Sequence, residues 1–251
     1  MDKTKKIKLT AVILVVVIIL IVLLIQLRKP KEDITKGQKI LKTMEQTDVT
    51  KVAKKVKELE GAEKKALRES GEININAEFE DCLILGDSVT QGLYEYGVLN
   101  ESYVVAERGT EVTEVANKKI EGHIAKAKEM KPGTLFLAYG MNDLTAQRGK
   151  PEGFVKAYRA ILEDLKEALP DTAIYVNSIL PATEGAVAKA PELASIPQFN
   201  EGLEKLCEEL EITFIDNTEL VKPEYYAADG VHVTTEYYKE WVEQMVEAAE
   251  L

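Results

Sequence analysis

The chain has 251 residues, of which 45% are hydrophobic and 30% are charged, and its formal net charge at pH 7 is −11. This length accommodates one globular domain with a sizeable core and an appendage, and it is too short for two large domains. Residues 71–251 carry fifteen basic and thirty-four acidic side chains. Because such a negative field repels nucleic acid, the composition argues against a nucleic-acid partner.

An apolar segment lies near the start of the chain. Residues 11–25 form an unbroken apolar run, and residues 9–27 approach the length that a helix needs to cross a bilayer. The run ends in Gln26, Leu27 and Arg28, with no small-residue cleavage site of the kind that follows a signal peptide. The pattern therefore predicts an uncleaved transmembrane anchor over residues 9–27, preceded by a cytoplasmic N-terminus over residues 1–8.

The charges that flank this segment leave its orientation open. Four lysines precede it, which favours a cytoplasmic N-terminus, but six basic residues follow it between positions 28 and 42. Since long domains cross membranes largely regardless of flanking charge, we expect a single-pass cell-membrane protein whose main domain is extracellular. The two cysteines, Cys82 and Cys207, are too few for a disulfide framework.

Residues 28–76 have the composition of a charged stalk. Among their lysines and glutamates, apolar residues recur at helical spacing, namely Val49, Val52, Ala53, Val56 and Leu59. This apolar stripe is narrow. We therefore interpret the segment as a linker helix that packs partly on the following domain, with a coiled coil that recruits a membrane partner as the alternative.

The main domain is expected over residues 77–251, where short apolar segments alternate with longer helical patterns. Candidate strands cover residues 82–85, 103–106, 134–138, 173–176 and 212–215, and candidate helices cover residues 112–130, 152–169, 198–210 and 235–249. This alternation predicts an α/β fold, a flavodoxin-like doubly wound parallel sheet of about five strands with helices on both faces. Such sheets bind ligands outside the carboxyl ends of their strands.

Polar blocks occur at these strand ends and before the last helix. They centre on Ser88 after the first strand, Gly109 after the second, Asn142 after the third, and Asp229 with His232 before the last helix. In this order they resemble the blocks of the SGNH (GDSL-like) hydrolases, a family named for Ser, Gly, Asn and His. The resemblance covers residues 79–249. It implies a serine esterase that needs no cofactor.

The residue types suit attack on an ester. A serine hydroxyl becomes a good nucleophile when a neighbouring base removes its proton, and imidazole does this near neutral pH. Of the two histidines, His123 lies in a polar helical pattern and is expected at the surface, so His232 is the candidate base. Asp229 can hold that imidazole in the right tautomer, although an aspartate followed by glycine also forms turns or caps helices.

The resemblance also implies an oxyanion hole. Its donors are the backbone N–H groups of Ser88 and Gly109 and the side-chain amide of Asn142, and such donors usually supply the largest catalytic contribution. Residues 107–111 lack the second glycine and the asparagine that many family members carry there. We interpret Asp87 and Asp143 as carboxylates that accept backbone N–H groups and shape their loops. No cluster has the spacing of metal ligands, so we expect no metal.

The substrate is the least determined feature of the sequence. By resemblance, anchored bacterial members act on acyl groups, often acetyl, of cell-envelope polysaccharides, and some transfer the group to a sugar. We therefore expect an acylated small molecule or polysaccharide as substrate. Residues 179–197, which contain three prolines and several alanines, are expected to form a loop at the pocket rim. A thioesterase or lipase, and a catalytically silent carbohydrate-binding or scaffold module, remain alternatives.

Overall fold

A computed structural model describes residues 14–22, 49–113 and 119–251 of the chain. Residues 14–22 are helical, and their apolar side chains are exposed. The rest of the predicted anchor, residues 9–13 and 23–27, lies outside the described residues, as do residues 1–8 and 28–48. Among the helices that are described, none combines the length and the apolar composition needed to cross a membrane.

The chain divides into two compact units, Met1–Glu60 and Gly61–Leu251. Helix α1, Val49–Glu69, coincides with the helix expected in the stalk. In the first unit the apolar side chains of Val52, Val56 and Leu59 are exposed.

The second unit begins before residue 77, where the sequence pattern placed the start of the main domain. The reason is Arg68, whose guanidinium donates two hydrogen bonds to Glu243 and is bonded to both carboxylate oxygens of Glu78. These contacts join the last turns of α1 to a short helix, α2 (Ile75–Glu78), and to the C-terminal helix of the chain. The end of the predicted stalk therefore belongs to the second unit.

A parallel sheet of five strands forms the centre of the second unit, in the order β2-β1-β3-β4-β5. The strands are β1 Cys82–Gly86, β2 Val104–Ala106, β3 Thr134–Ala138, β4 Ala173–Asn177 and β5 Thr213–Ile215. All five residues of β1 are buried, as expected for a parallel strand that is covered on both faces. The predicted α/β architecture and its five strands are confirmed.

Helices cover both faces of this sheet. They are α2 Ile75–Glu78, α3 Ser88–Glu95, α4 Lys119–Met130, α5 Met141–Ala146, α6 Pro151–Ala168, α7 Glu184–Lys189, α8 Ile196–Glu209 and α9 Thr235–Ala249. Leu83 and Leu85 of β1 belong to a core cluster shared with α4, α6 and α8. Ile84, which points to the other face, belongs to a second cluster shared with α3 and α9.

The segment over residues 179–197 differs from the expected loop. It contains α7 and a 3-10 turn at Pro191–Ser195, and α8 begins at Ile196. Thr183 caps α7 by accepting a hydrogen bond from the backbone N–H of Ala186, and the side chains of Ala186 and Leu193 are buried. Short helices therefore replace the expected loop, and Ala186 and Leu193 pack them against the core.

Candidate active site

Ser88 lies at the junction between β1 and α3, at the carboxyl end of the sheet. Asp87 is the N-cap residue of α3, and its carboxylate accepts a hydrogen bond of 3.0 Å from the backbone N–H of Val89. Ser88 is therefore the first residue of the helix, where backbone N–H groups lack partners within the helix. Gly86 allows this sharp turn, because a Cβ atom there would lie 1.8 Å from the Thr90 hydroxyl.

His232 and Asp229 complete a chain of hydrogen bonds that begins at Ser88. The Nε2 atom of His232 is 3.0 Å from the Ser88 Oγ atom, and its Nδ1 atom is 2.6 Å from the Asp229 Oδ2 atom. Because an ionised carboxylate only accepts, Nδ1 carries the ring proton and Nε2 can accept from the serine. This arrangement can remove the serine proton during attack on an acyl carbon.

Asp229 also organises the turn that carries His232. Its Oδ1 atom accepts 2.9 Å hydrogen bonds from the backbone N–H groups of Val231 and His232. Burial alone would raise the pKa of Asp229, but these hydrogen bonds and the one from the His232 ring outweigh it and lower the pKa to about 2. The carboxylate is therefore ionised throughout the pH range in which imidazole works as a base.

The segment before α7 holds this turn in place from outside. The backbone N–H of Thr183 donates to the Gly230 carbonyl at 2.9 Å, and the Tyr226 hydroxyl donates to the Pro181 carbonyl at 2.7 Å. Gly230 has a φ of +74°, and a Cβ atom there would lie 2.0 Å from the Thr183 hydroxyl. Position 230 therefore requires glycine on both conformational and steric grounds.

The predicted oxyanion donors lie on the loop after β2 and on α5. Gly109 has a φ of +74° and is exposed, and Asn142 is half-buried in the first turn of α5. The Asn142 side-chain amide donates to the Thr110 carbonyl at 3.1 Å, one residue after Gly109. This bond uses one of the two N–H groups of the amide, and the other is available to a substrate oxygen.

Two buried carboxylates fix the loops around these groups. Asp87 caps α3, and Asp143 accepts from the backbone N–H groups of Val112 and Thr113. The interpretation of both as loop-shaping residues is confirmed by these contacts. Burial raises the pKa of Asp87 to about 7, despite the opposing hydrogen bond from Val89. Within the described ranges, no group of three or more His, Cys, Asp or Glu side chains could hold a metal ion.

The expectation that His123 lies at the surface is wrong. Its side chain is 6% exposed, and its Nδ1 atom is 2.7 Å from the Tyr139 hydroxyl. Burial lowers its pKa and favours a neutral ring. The signal was present in the sequence, since His123 shares an i, i+3, i+4, i+7 stripe with Ile120, Ile124 and Ala127, all of which are buried.

Comparison with known proteins extends this description. A search of curated proteins finds no match. Similar solved structures include a GDSL-like lipase from Parabacteroides merdae, with 22% identity and a TM-score of 0.51. The match covers 68% of this chain and 96% of that chain. Another is a GDSL-like lipase from Bacteroides thetaiotaomicron (17%, TM-score 0.52), covering 74% of this chain and 96% of that chain. The match to an acetyl-xylooligosaccharide esterase from Geobacillus stearothermophilus (17% identity, TM-score 0.51) covers 68% of this chain and 94% of that chain.

At these identities the structural neighbours show that the fold is shared. A family model identifies the family as well, because it matches residues 84–240, which is more than half of the chain. That range contains all five candidate site residues, from Ser88 to His232. The chain belongs to the GDSL-like Lipase/Acylhydrolase family.

Proposed function

We propose that this protein is a serine esterase that removes short acyl groups, chiefly O-acetyl groups, from cell-envelope carbohydrate. The observation that carries the proposal is the continuous hydrogen-bonded chain from Ser88 through His232 to Asp229. Family membership supports hydrolysis of an acyl bond. The geometry supports Ser88 as the nucleophile.

The reaction begins when His232 Nε2 accepts the proton of Ser88 and the serine oxygen attacks the acyl carbon. The resulting oxyanion accepts hydrogen bonds from the Ser88 and Gly109 backbone N–H groups and from the free N–H of Asn142. Collapse of this intermediate expels the sugar hydroxyl, which takes its proton from His232. Water then attacks the acyl-enzyme by the same route and releases the free acid. If a second sugar hydroxyl replaces water, the product is a transferred acyl ester.

Two features favour acetyl groups on carbohydrate as the group removed. Two structural neighbours are described as an acetyl-xylooligosaccharide esterase and a carbohydrate esterase of family 3. The isoleucines and leucines of residues 179–197 are also buried in the core, so they do not form an exposed apolar surface that could cover a long acyl chain. Both features favour a short acyl group over the long one that a lipase accepts.

The proposal includes an anchor at residues 9–27 and a catalytic domain outside the cell. The anchor is supported by the apolar run of residues 11–25 and the absence of a cleavage pattern after it. The outward orientation is supported by the four lysines before the run, which favour a cytoplasmic N-terminus. Protease added to intact cells should then remove the catalytic domain. Survival of the domain until the cells are lysed would show the opposite orientation.

The direct test uses the full-length chain in detergent with a fluorophosphonate probe and a series of p-nitrophenyl esters from acetate to palmitate. We expect the probe to label Ser88 and the rate to fall as the acyl chain lengthens, with Ser88→Ala as the unlabelled control. A maximum at palmitate would favour a lipase. Absence of both labelling and hydrolysis would favour a silent carbohydrate-binding module.

A further inference from the structure

Asp143 is a buried carboxylate whose hydrogen bonds reach across the site. Its side chain is fully buried, and it accepts from the Val112 N–H at 2.9 Å, the Thr113 N–H at 3.0 Å and the Thr113 hydroxyl at 2.7 Å. These donors lie on the loop after β2, whereas Asp143 lies in the first turn of α5. Asp143 thus connects two elements that are thirty residues apart in sequence.

The adjacent residue, Asn142, binds the same loop a short distance upstream. Its amide donates to the Thr110 carbonyl, so Asn142 and Asp143 together hold the loop at residues 110, 112 and 113. Gly109 directly precedes the first of these positions. The distance between the Gly109 N–H and the free N–H of Asn142 is therefore determined largely by these four hydrogen bonds.

The bond pattern requires a carboxylate at position 143. All three partners donate, and the Thr113 hydroxyl is directed toward Asp143 because its oxygen accepts a hydrogen bond from the Gln147 side-chain amide at 3.1 Å. An asparagine would have to turn its NH2 group toward at least one of these donors. Since a buried donor without an acceptor is costly, the loop would shift to relieve the mismatch.

We infer that Asp143 is a positioning residue that sets the spacing of the two oxyanion donors contributed by Gly109 and Asn142. This inference rests on the proposed esterase function and deepens it. Asp143 acts through the loop and does not touch the substrate. A displacement of about 1 Å at such a donor can reduce a rate by roughly 100-fold.

The test is a double-mutant cycle with Asp143→Asn and Asn142→Ala in the full-length chain, assayed with p-nitrophenyl acetate. We expect Asp143→Asn to lower kcat by roughly 30- to 100-fold, with KM changed less than about threefold. In the Asn142→Ala background the same change should lower kcat by less than about fivefold, because one of the two donors whose spacing it sets is already absent. Labelling with the fluorophosphonate probe counts the folded, reactive sites.

The matched control is Asp216→Asn. Asp216 also accepts from a backbone N–H and a threonine hydroxyl, both of Thr218, but at the exposed end of β5. It should leave kcat unchanged. If Asp143→Asn does not fold, Thr113→Val removes one of the three bonds to Asp143 and should still lower kcat several-fold.

An equal loss of kcat from Asp143→Asn in both backgrounds would overturn the inference and leave the esterase function standing. An unchanged kcat per reactive site, with only stability reduced, would also overturn it. A wild-type protein that neither reacts with the probe nor hydrolyses the ester would contradict the proposed function itself.

Discussion

The site has two sides, the one that carries the nucleophile Ser88 and the oxyanion donors and the one that carries the base His232, and they are stabilised in different ways. Asp87 and Asp143, on the nucleophile and oxyanion side, are buried and accept backbone N–H groups. On the base side, the side chains of Asp229 and His232 are 50% and 43% exposed and lie on one short turn. The first side depends on the domain core, and the second depends on its own local hydrogen bonds and on the segment before α7.

This difference separates two kinds of failure. A change on the buried side should affect the folding of the domain as well as the placement of the donors, because unsatisfied buried groups destabilise the folded state. A change on the exposed turn should affect the chemistry while leaving the fold intact. Substitutions on the two sides can therefore be distinguished by measuring the rate and the stability of the same variant.

The largest effect is expected where the two sides meet, at Ser88 and His232. Either Ser88→Ala or His232→Ala should lower kcat by about 10⁴-fold or more, and the double variant should be scarcely worse than either one. The reason is that nucleophile and base act as one unit. Ester hydrolysis and probe labelling measure the effect, and multiplicative losses in the double variant would mean that the two residues work independently.

The next largest effect is expected from changes to Asp229 on the exposed turn. Asp229→Asn should lower kcat by roughly 10²- to 10⁴-fold with little loss of stability, because it disturbs the imidazole tautomer while an oxygen remains to accept from Val231 and His232. Asp229→Ala removes the turn as well and should be worse. If the two variants have equal kcat and equal thermal unfolding, the hydrogen bonds to the turn contribute nothing.

A third effect is expected on the buried side, in the pH dependence of the stability of the protein. Burial raises the pKa of Asp87 from an ordinary value of 3.8 to about 7 in the folded protein. The folded state therefore loses no stability to this group below about pH 3.8, and the free-energy cost of burying its charge grows from there up to about pH 7. Asp87→Asn, which can still cap α3, should match the wild type in stability near pH 4 and exceed it above pH 7 by up to about 4 kcal/mol. Urea unfolding at a series of pH values measures this, and a constant difference would contradict it.

The smallest effect is expected for His123, which lies on α4 and contacts the Tyr139 hydroxyl. His123→Phe should destabilise the protein by about 1–3 kcal/mol because the Tyr139 hydroxyl loses its partner, with kcat per labelled site unchanged. Adding Tyr139→Phe should recover much of that stability. A loss of kcat per site in His123→Phe would assign this histidine a role in catalysis.

Most of the fold could be predicted from the sequence because its signals are local. Each parallel strand is a short apolar run, and the candidate site residues follow strands or precede the last helix, so their positions along the chain indicated their positions on the sheet. The prediction that His123 lies at the surface is wrong because its polar neighbours in sequence lie on the other side of the helix from the apolar stripe to which His123 belongs. The loop predicted over residues 179–197 is wrong because the six-residue helix α7 is too short to show a helical period in the sequence.

Other features could not be read from the sequence at all. The bonds from Asp143 to residues 112 and 113 join segments that only the folded sheet brings together. The same is true of the Thr183 N–H, which reaches the Gly230 carbonyl from a segment far away in the chain. A local pattern can indicate that a carboxylate accepts backbone N–H groups, but it does not identify which ones.

The contacts of Arg68 bear on how the domain can be isolated. Arg68 is only 8% exposed and binds Glu78 and Glu243, which are 13% and 21% exposed. A recombinant fragment that starts at residue 72 or 77 would lack Arg68 and the last turns of α1, and so would lose the hydrogen bonds that join this segment to Glu78 and Glu243. Fragments for crystallisation or assay should therefore start at or before Gly61, and lower yield or melting temperature from later starts would reflect this missing ion pair rather than damage to the active site.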